Sequence, residues 1–284
     1  MLHFIDTEIP ATMAPMDAVK DMRLLELGIG TWESCLAARW DKFDSLTTVS
    51  ARFWPSAALL EQLAQEHDGF LLTDNDGKLL AETGTSKNAV LADKESLLIR
   101  YPWDLLKVHE EILSGIRQSS LSGTVRDGAV IDGTVILGEG AVLLPGVFIE
   151  GTAVIGKNCR LGPNCYLRGC TFIGDNCHIG QAVEIKNSIV MHHTAVAHLS
   201  YFGDSIICPE TNIGGGTIAS NFRHDGKNHR SMVAGELVET GRRKFGTVIG
   251  PGVHTGIHTS IYPGRKLYSG TSTLPGEIVK KDLK

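Results

Sequence analysis

From Val125 onward an apolar residue returns at every sixth position: Val125, Ile131, Leu137, Leu143, Ile149, Ile155, Leu161, Leu167, Ile173, Ile179, Ile185, Met191 and Ala197. So regular a period marks a repeat architecture. Two positions before most of them sits a small or β-branched residue, as at Ala129, Val135, Ala141, Val147, Ala153, Cys159, Cys165, Thr171, Cys177 and Val183. Residues two apart project to the same side of a strand. A Gly or Asp after several of them (Asp132, Gly138, Gly156, Gly162, Gly174) then bends the chain. Three hexads close a triangular coil of about eighteen residues, and stacked coils line up their apolar side chains inside a prism. The pattern predicts a mainly β fold, a left-handed parallel β-helix of hexapeptide repeats, against the usual right-handed habit of parallel crossovers. A β-sandwich would need strands of more varied length and spacing.

The register is expected to slip after Ala197, with Ile207 and Ile213 the next inward residues. A polar stretch over about 221–246 interrupts the repeat, which resumes at Ile249, Ile261 and Leu267. In a solenoid an insertion leaves the wall as an external loop, and such loops commonly carry function. The β-helix is therefore assigned to 118–284, with that loop outside it. Residues 1–117 read as a small α/β domain. Asp17 to Trp40 has helical apolar spacing around Met22, Leu25 and Leu36. Residues 70–82 read as a hairpin around Asp76 and Gly77, and Pro102-Trp103-Asp104 opens an amphipathic helix running to about Arg117.

Composition narrows the partners. The 284 residues carry 27 basic and 32 acidic side chains, a formal charge of −5, with no polybasic run. Nucleic acid and anionic membranes are excluded as expected partners. The chain starts without a basic segment leading into an apolar one, and no apolar run approaches ~18 residues, so a cytoplasmic protein is expected. The 32 glycines exceed the usual ~7% and fall mostly in the repeat. The six cysteines form no CxxC pair; Cys159, Cys165 and Cys177 occupy repeat positions and read as small buried hydrophobes.

The densest reactive chemistry lies between Arg168 and Lys227. Arg168 and Lys186 are one coil apart, so they stack at one corner about 4.8 Å apart along the axis. Such a pair either binds an anion or is an exposed ion pair with Glu184. His198, with Tyr201, Asp204 and Asn212 nearby in sequence, falls at a different corner. A corner-to-corner walk of six residues is about 20 Å, so a neighbouring prism is needed to bring this histidine to a basic pair.

His-Leu-Ser-Tyr-Phe-Gly-Asp at 198–204, Asn-Ile-Gly-Gly-Gly-Thr-Ile at 212–218 and Asn221-Phe222 resemble the acetyltransferase half of the bifunctional glucosamine-1-phosphate acetyltransferase/N-acetylglucosamine-1-phosphate uridylyltransferase family. Asn-Phe-Arg-His-Asp at 221–225 and the stretches 241–250 and 254–266 resemble most its archaeal-type sugar-1-phosphate nucleotidylyltransferase/acetyltransferase branch. The resemblance implies transfer of an acyl group from acetyl-CoA to an amino-sugar phosphate or nucleotide-linked amino sugar by a homotrimer, without a metal. It implies His198 as the general base, with Asn212 near the acetyl group and the Gly215 N–H facing the thioester carbonyl. It implies Arg168, Lys186, Tyr201 and Asn221, with the loop lysine Lys227, as acceptor ligands. Gly256 would lie along the pantetheine arm, and Arg242, Arg243, Lys244, Arg265 and Lys266 near the CoA phosphates. An imidazole with pKa near ~6.5 suits removal of a proton from an amine at neutral pH. Stretches 24–31 and 101–106 resemble the edges of a sugar nucleotidylyltransferase domain, but no G-x-G-x-R loop is present, so this part reads as a remnant used in packing or substrate selection.

Two other classes share the prism. His193 and His198 have the His-x4-His spacing of γ-class carbonic anhydrases, with His178 as a third zinc ligand. A non-catalytic β-helix scaffold is the other, and the intact His, Tyr, Asn, Arg and Lys set argues against it.

Overall fold

The computed structural model describes residues 2–43, 46–84 and 88–284. From Ser120 onward the chain winds into a solenoid with three walls of short parallel strands. The first wall stacks Thr124–Val125, Val142–Leu143, Arg160–Leu161, His178–Gln181, Ala195–His198 and Asn212–Ile213. The second wall runs through Glu184–Lys186, Tyr201–Gly203, Ile218–Ala219, Ser260–Ile261 and Ile278–Val279. The third runs through Ile189–Val190, Ile206–Ile207, Thr247–Ile249 and Arg265–Leu267. In the lower coils the bent strands Val130–Leu137, Phe148–Ile155 and Tyr166–Ile173 each serve the second and third walls together.

Identical chemistry stacks because the register repeats. Ile131, Ile149, Leu167 and Ile185 are consecutive partners up one wall. With Leu143, Leu161, Ile179 and the three hexad cysteines they fill a closed apolar interior. Burial of each such side chain is worth roughly 1.5–3 kcal/mol. This is the hexapeptide left-handed β-helix that the period predicts. All six cysteines are free thiols, and burial pushes Cys165 up to about 12.

The slip comes earlier than the hexad count implies. Ile173 pairs with Val190, not Met191, and the interior continues through Val190, Val196 and Phe202. The coil loses one residue at the corner before Ile189, where Asn187 turns the chain with a left-handed φ of 50°. Met191 instead faces outward into the apolar cluster of the amino-terminal part. Val190 and Met191 are both apolar, so hydropathy alone does not mark the missing residue.

The amino-terminal part carries a five-stranded mixed sheet in the order His3–Ile5, Leu46–Ser50, Leu79–Thr83, Phe70–Thr73, Asn88–Leu91. Its hairpin turns where Asp74 accepts from the backbone N–H groups of Asp76 and Lys78, with Gly77 at φ 78°. Residues 17–40 do not form one helix. Two 3₁₀ turns, Met16–Val19 and Met22–Leu24, precede a tight pair of strands, Glu26–Leu27 and Gly30–Thr31. Only then does α1 (Trp32–Arg39) begin, its Thr31 hydroxyl accepting from Ser34 N. Gly28, at φ 64°, makes the turn that breaks the helical run. Helices α2 (Ala57–Leu63) and α3 (Pro102–Gly115) follow, α3 opened by the Asp104 carboxylate accepting from Tyr101 N at 2.8 Å.

The amino-terminal part covers the third wall. Trp103, Leu106 and Leu113 share one buried cluster with Phe172, Ile189, Met191, Ile206, Phe245 and Val248 on the outside of that wall. Polar stitches cross the same interface. Buried His109 on α3 accepts from Gly28 N at 3.2 Å through Nδ1 and donates to the Cys170 carbonyl at 3.0 Å through Nε2. Glu26 accepts from His192 N at 2.7 Å.

Burial lowers the His109 pKa from 6.5 to about 4, so the imidazole is neutral in the fold. Between these values the unfolded chain binds a proton that the folded chain refuses, and stability therefore falls as pH falls from 6.5 to 4. A shift of this size corresponds to about 3 kcal/mol. The His109→Gln variant should lose less melting temperature than the parent across that window in calorimetry. Equal slopes in the two proteins would contradict a buried neutral stitch.

Candidate functional site

Arg168 and Lys186 are backbone partners on adjacent coils, and Gly203 lies over Lys186 on the next. Each cation has an acid partner. Arg168 Nη2 lies 2.7 Å from Glu184 Oε1, and Lys186 Nζ lies 3.4 Å from Asp204 Oδ2. The ion-pair reading thus holds for Arg168, while the partner of Lys186 is a residue one coil on. Asn187, Asp204 and Asn221 form a polar column at this corner, each seventeen residues from the next. Asn187 Nδ2 donates to Asp204 Oδ1 at 3.1 Å, and Asn221 Nδ2 to Asp204 Oδ2 at 2.6 Å. A Cβ at Gly203 would lie 2.3 Å from the Tyr201 hydroxyl oxygen and 2.5 Å from Asn221 Nδ2, so glycine is what lets both reach across the corner. Burial, aided by Glu184 and Asp204, pushes the Tyr201 phenol up.

The 221–246 loop leaves the prism here. Phe222 and Lys244 bridge its neck, and its outer part is the antiparallel pair Arg230–Val233 and Glu236–Glu239. Phe245 returns it to the wall, its ring 5.7 Å from that of Trp103. Between loop and corner lies a cavity of about 420 Å³ lined by Arg168, Lys186, Tyr201, Asn221, Arg243 and Lys244, with Phe222. Arg243 sits 5.4 Å over the Phe222 ring. Four cations face this cavity, against Glu184 and Asp204 behind two of them, which makes it a place for an anion.

Not every expected residue comes to it. Lys227 lines a separate cavity of about 630 Å³ with Arg223, Asp225 and Arg230. Lys266 is 1% exposed; its ammonium donates to the Met232 carbonyl at 2.9 Å and burial lowers its pKa to about 8. Arg242 is paired with Glu110 of α3. Burial and pairing take these two out of the expected CoA-phosphate set. Arg265 is half-buried on a third-wall strand, and Arg243 and Lys244 face the cavity.

His198 stands on the opposite edge of the second wall. It ends the first-wall strand Ala195–His198, and Leu199, at φ 50°, turns the corner towards Tyr201. Its carbonyl accepts from Ser200 Oγ at 2.7 Å and from Gly216 N at 3.1 Å, which fixes the backbone and leaves the imidazole exposed. Gly215 lies on the next coil, where a Cβ would approach His198 Cβ to 3.3 Å. Gly214 N donates to Thr255 Oγ1 at 2.9 Å, while the Gly215 N–H has no partner among the described residues. Asn212 is exposed on the same wall beside His254. Gly180 and Ala197, then Gly214 and Gly256, stack so closely that a Cβ at Gly180 would lie 1.9 Å from the Ala197 carbonyl oxygen and one at Gly214 2.5 Å from the Gly256 carbonyl carbon. Glycine at these two positions is what allows the close stacking beside His198. His193 sits at the far end of the first wall, near Asp175. Extended chain over that span is about 17 Å, so one chain does not bring His193 and His198 to a shared ion. Among the described residues no three His, Cys, Asp or Glu side chains converge as a metal site would require.

The structure thus divides the expected site residues into two groups. His198 and Gly215 meet at one edge, with Gly256 one position along the first wall and Asn212 farther along it over Ala195, and Arg168, Lys186, Tyr201, Asn221, Arg243 and Lys244 meet at the other. Sequence reasoning missed Asn187 and Glu110 and named Asp204 only as a sequence neighbour of His198, whereas it sits at the corner of the basic pair. The seventeen-residue spacing of the three column residues was the available signal.

Residues 143–262 match the family model described as the GMPPB C-terminal domain. The chain is 40% identical over 182 residues to a bifunctional sugar-1-phosphate nucleotidylyltransferase/acetyltransferase of Sulfurisphaera tokodaii, covering 64% of this chain and 45% of that protein. It is 49% identical over 185 residues to the bifunctional protein GlmU of Methanococcus maripaludis strain C7, covering 65% of this chain and 44% of that one. Against GlmU of Methanococcus aeolicus it is 39% identical over 232 residues, covering 79% and 55%. The chain spans about half the length of these relatives. Among solved structures, a UDP-N-acetylglucosamine acyltransferase from Francisella novicida aligns at 17% identity and TM-score 0.23, over 58% of this chain and 61% of that one. No described helix is long and apolar enough to cross a membrane. Over most of its length, the hexapeptide-repeat β-helix included, the chain is similar to bifunctional sugar-1-phosphate nucleotidylyltransferase/acetyltransferases and GlmU proteins.

Proposed function

We propose that the protein transfers an acyl group, acetyl by family resemblance, from a CoA thioester to the amine of a sugar phosphate or nucleotide-linked amino sugar, at a site assembled between subunits of a homotrimer. One observation carries this reading: His198 and the corner of Arg168 and Lys186 lie at opposite ends of the second wall, with the Tyr201–Gly203 strand between them. The third wall is covered by the amino-terminal part, which leaves the first and second walls for neighbours. In such a trimer the cavity of one subunit faces the His198 edge of the next.

The chemistry follows from the two groups. Arg168, Lys186, Arg243 and Lys244 hold the acceptor phosphate, and Tyr201 and Asn221 orient the sugar. The His198 imidazole takes a proton from the amine as its nitrogen attacks the thioester carbonyl. The carbonyl oxygen gains negative charge, and the unpartnered Gly215 N–H is placed to donate to it. The C–S bond then breaks, CoA thiolate leaves and takes up a proton, and the amide is formed. The pantetheine arm lies along the first wall past Gly214 and Gly256, where no side chain projects.

His198→Ala should lower kcat by ~10²–10⁴ with little change in acceptor KM. Arg168→Ala should raise acceptor KM more than it lowers kcat, because a phosphate anchor acts in ground state and transition state alike. Steady-state kinetics with glucosamine 1-phosphate and acetyl-CoA measure both, and full activity in His198→Ala would remove it as the base. The trimer has its own test. At acceptor concentrations well below the Arg168→Ala KM, where both variants turn over slowly, co-refolding the His198→Ala and Arg168→Ala chains should rebuild intact interfaces with up to about one quarter of parental activity, since each site needs one good edge from each of two neighbours. A mixture no more active than its parts would place the whole site within one chain. CoA affinity measured by calorimetry should fall in an Arg243→Ala/Lys244→Ala variant if the loop also reaches the CoA phosphates, and stay unchanged if those residues serve the acceptor alone.

A further inference from the structure

A carboxylate of the amino-terminal part, Glu110, reaches the polar column beside the basic cavity. Glu110 on α3 is paired with Arg242 of the external loop, and its Oε1 also accepts from Asn187 Nδ2 at 2.7 Å. The same Asn187 amide donates to Asp204 Oδ1, and Arg242 Nη2 lies 3.8 Å from that oxygen. Asp204 Oδ2 faces the cavity residues, accepting from Asn221 at 2.6 Å and Lys186 at 3.4 Å. Its side chain is only 5% exposed, so few partners compete for it. Burial works against a charge on Glu110, but Arg242 and Asn187 outweigh it and hold the carboxyl below its ordinary range. Glu110 is charged, and its charge is spent on Arg242, the second cation beside Asp204 after Lys186.

From this arrangement we infer that Glu110 is a positioning residue for the anion site, holding Arg242 away from Asp204 so that Asp204 can orient Lys186 and Asn221 towards the cavity. The inference rests on the cavity being the acceptor's anion site. Without the Glu110 charge, Arg242 closes the remaining gap to Asp204, the carboxylate turns with it, and Lys186 and Asn221 lose their common anchor. The amino-terminal part then has a role in acceptor binding through one side chain, although none of its residues lines the cavity.

The isosteric Glu110→Gln variant separates this from a packing role. It keeps an acceptor oxygen for Asn187 but loses the charge that holds Arg242. The probes are inorganic phosphate, titrated calorimetrically, and glucosamine 1-phosphate with acetyl-CoA in steady-state kinetics. Glu110→Gln and Glu110→Ala should each weaken phosphate binding and raise acceptor KM about tenfold, with kcat within about twofold, the scale of coupled network residues. Adding Arg242→Met to Glu110→Ala should restore most of the lost affinity, because the competitor for Asp204 is gone. A docking role predicts the reverse, with Glu110→Gln close to the parent and the double variant worse than the single. Parent-like phosphate binding in Glu110→Gln, or no recovery in the double variant, would overturn the inference. Arg168→Ala tests the underlying reading. If it leaves phosphate affinity unchanged, the anion site falls and the inference with it; if it weakens phosphate binding while Glu110→Gln does not, the inference alone falls.

Discussion

Everything at the site depends on the pairing of one coil with the next. Parallel strands joined in register fix the height of each side chain to that of its partner one turn below, so a corner residue is placed by its distance along the chain. That distance is eighteen residues below the corner at Asn187, where the coil drops a residue and shortens to seventeen, and eighteen again above the external loop. Above this point Asp204 and Asn221 fall over Asn187. Left-handed backbone at Asn187 and Asp204 makes the shorter turn, and Asn and Asp tolerate that conformation better than most side chains. The residues that turn the corner are therefore also the ones whose polar ends meet outside it. The external loop leaves one residue past this column and places its own cations, Arg243 and Lys244, against the same corner.

The prism was legible because its pattern is long, strict and purely local. A ladder of Leu and Ile at every sixth position admits few packings, and the structure keeps it from Leu137 to Ile185. The missing residue was less legible, since Val190 and Met191 serve equally well by hydropathy and only strand pairing selects Val190. Residues 17–40 misled for a related reason. Their apolar spacing is genuine, and Met22, Leu25 and Leu36 are all fully buried, but Gly28 and Gly30 divide the segment before a helix can propagate.

Charge was the poorest guide. Lys266 and Arg265 are adjacent basic residues in one motif, yet the strand turns the Lys266 side chain out of the prism, under Trp103 and onto the Met232 carbonyl. Successive residues of a strand face opposite sides, so one of the two had to be lost from any common surface. Which one depends on the loop and α3 that cover the third wall, and neither is near it in sequence. Arg242 is the same case, drawn from the Arg242-Arg243-Lys244 run by an acid from the amino-terminal part. A basic run predicts a charged neighbourhood, and the fold decides which members keep a free charge.

The three walls have divided their work accordingly. The third wall gives up its outer face to apolar contact with the amino-terminal part, and three polar groups at that contact have partners supplied from the other side: the Cys170 carbonyl for His109, the His192 N–H for Glu26, and Asn187 with Arg242 for Glu110. A buried polar group without a partner costs on the order of 1–3 kcal/mol, so these matched pairs fix how the amino-terminal part sits against the prism as well as that it sits there. His109 and Glu110 are neighbours on one helix, one locked to the wall and the other to the corner column. The contact that covers the third wall therefore also sets the position of the carboxylate beside the basic cavity, and packing on one wall is tied to electrostatics at the edge of the next.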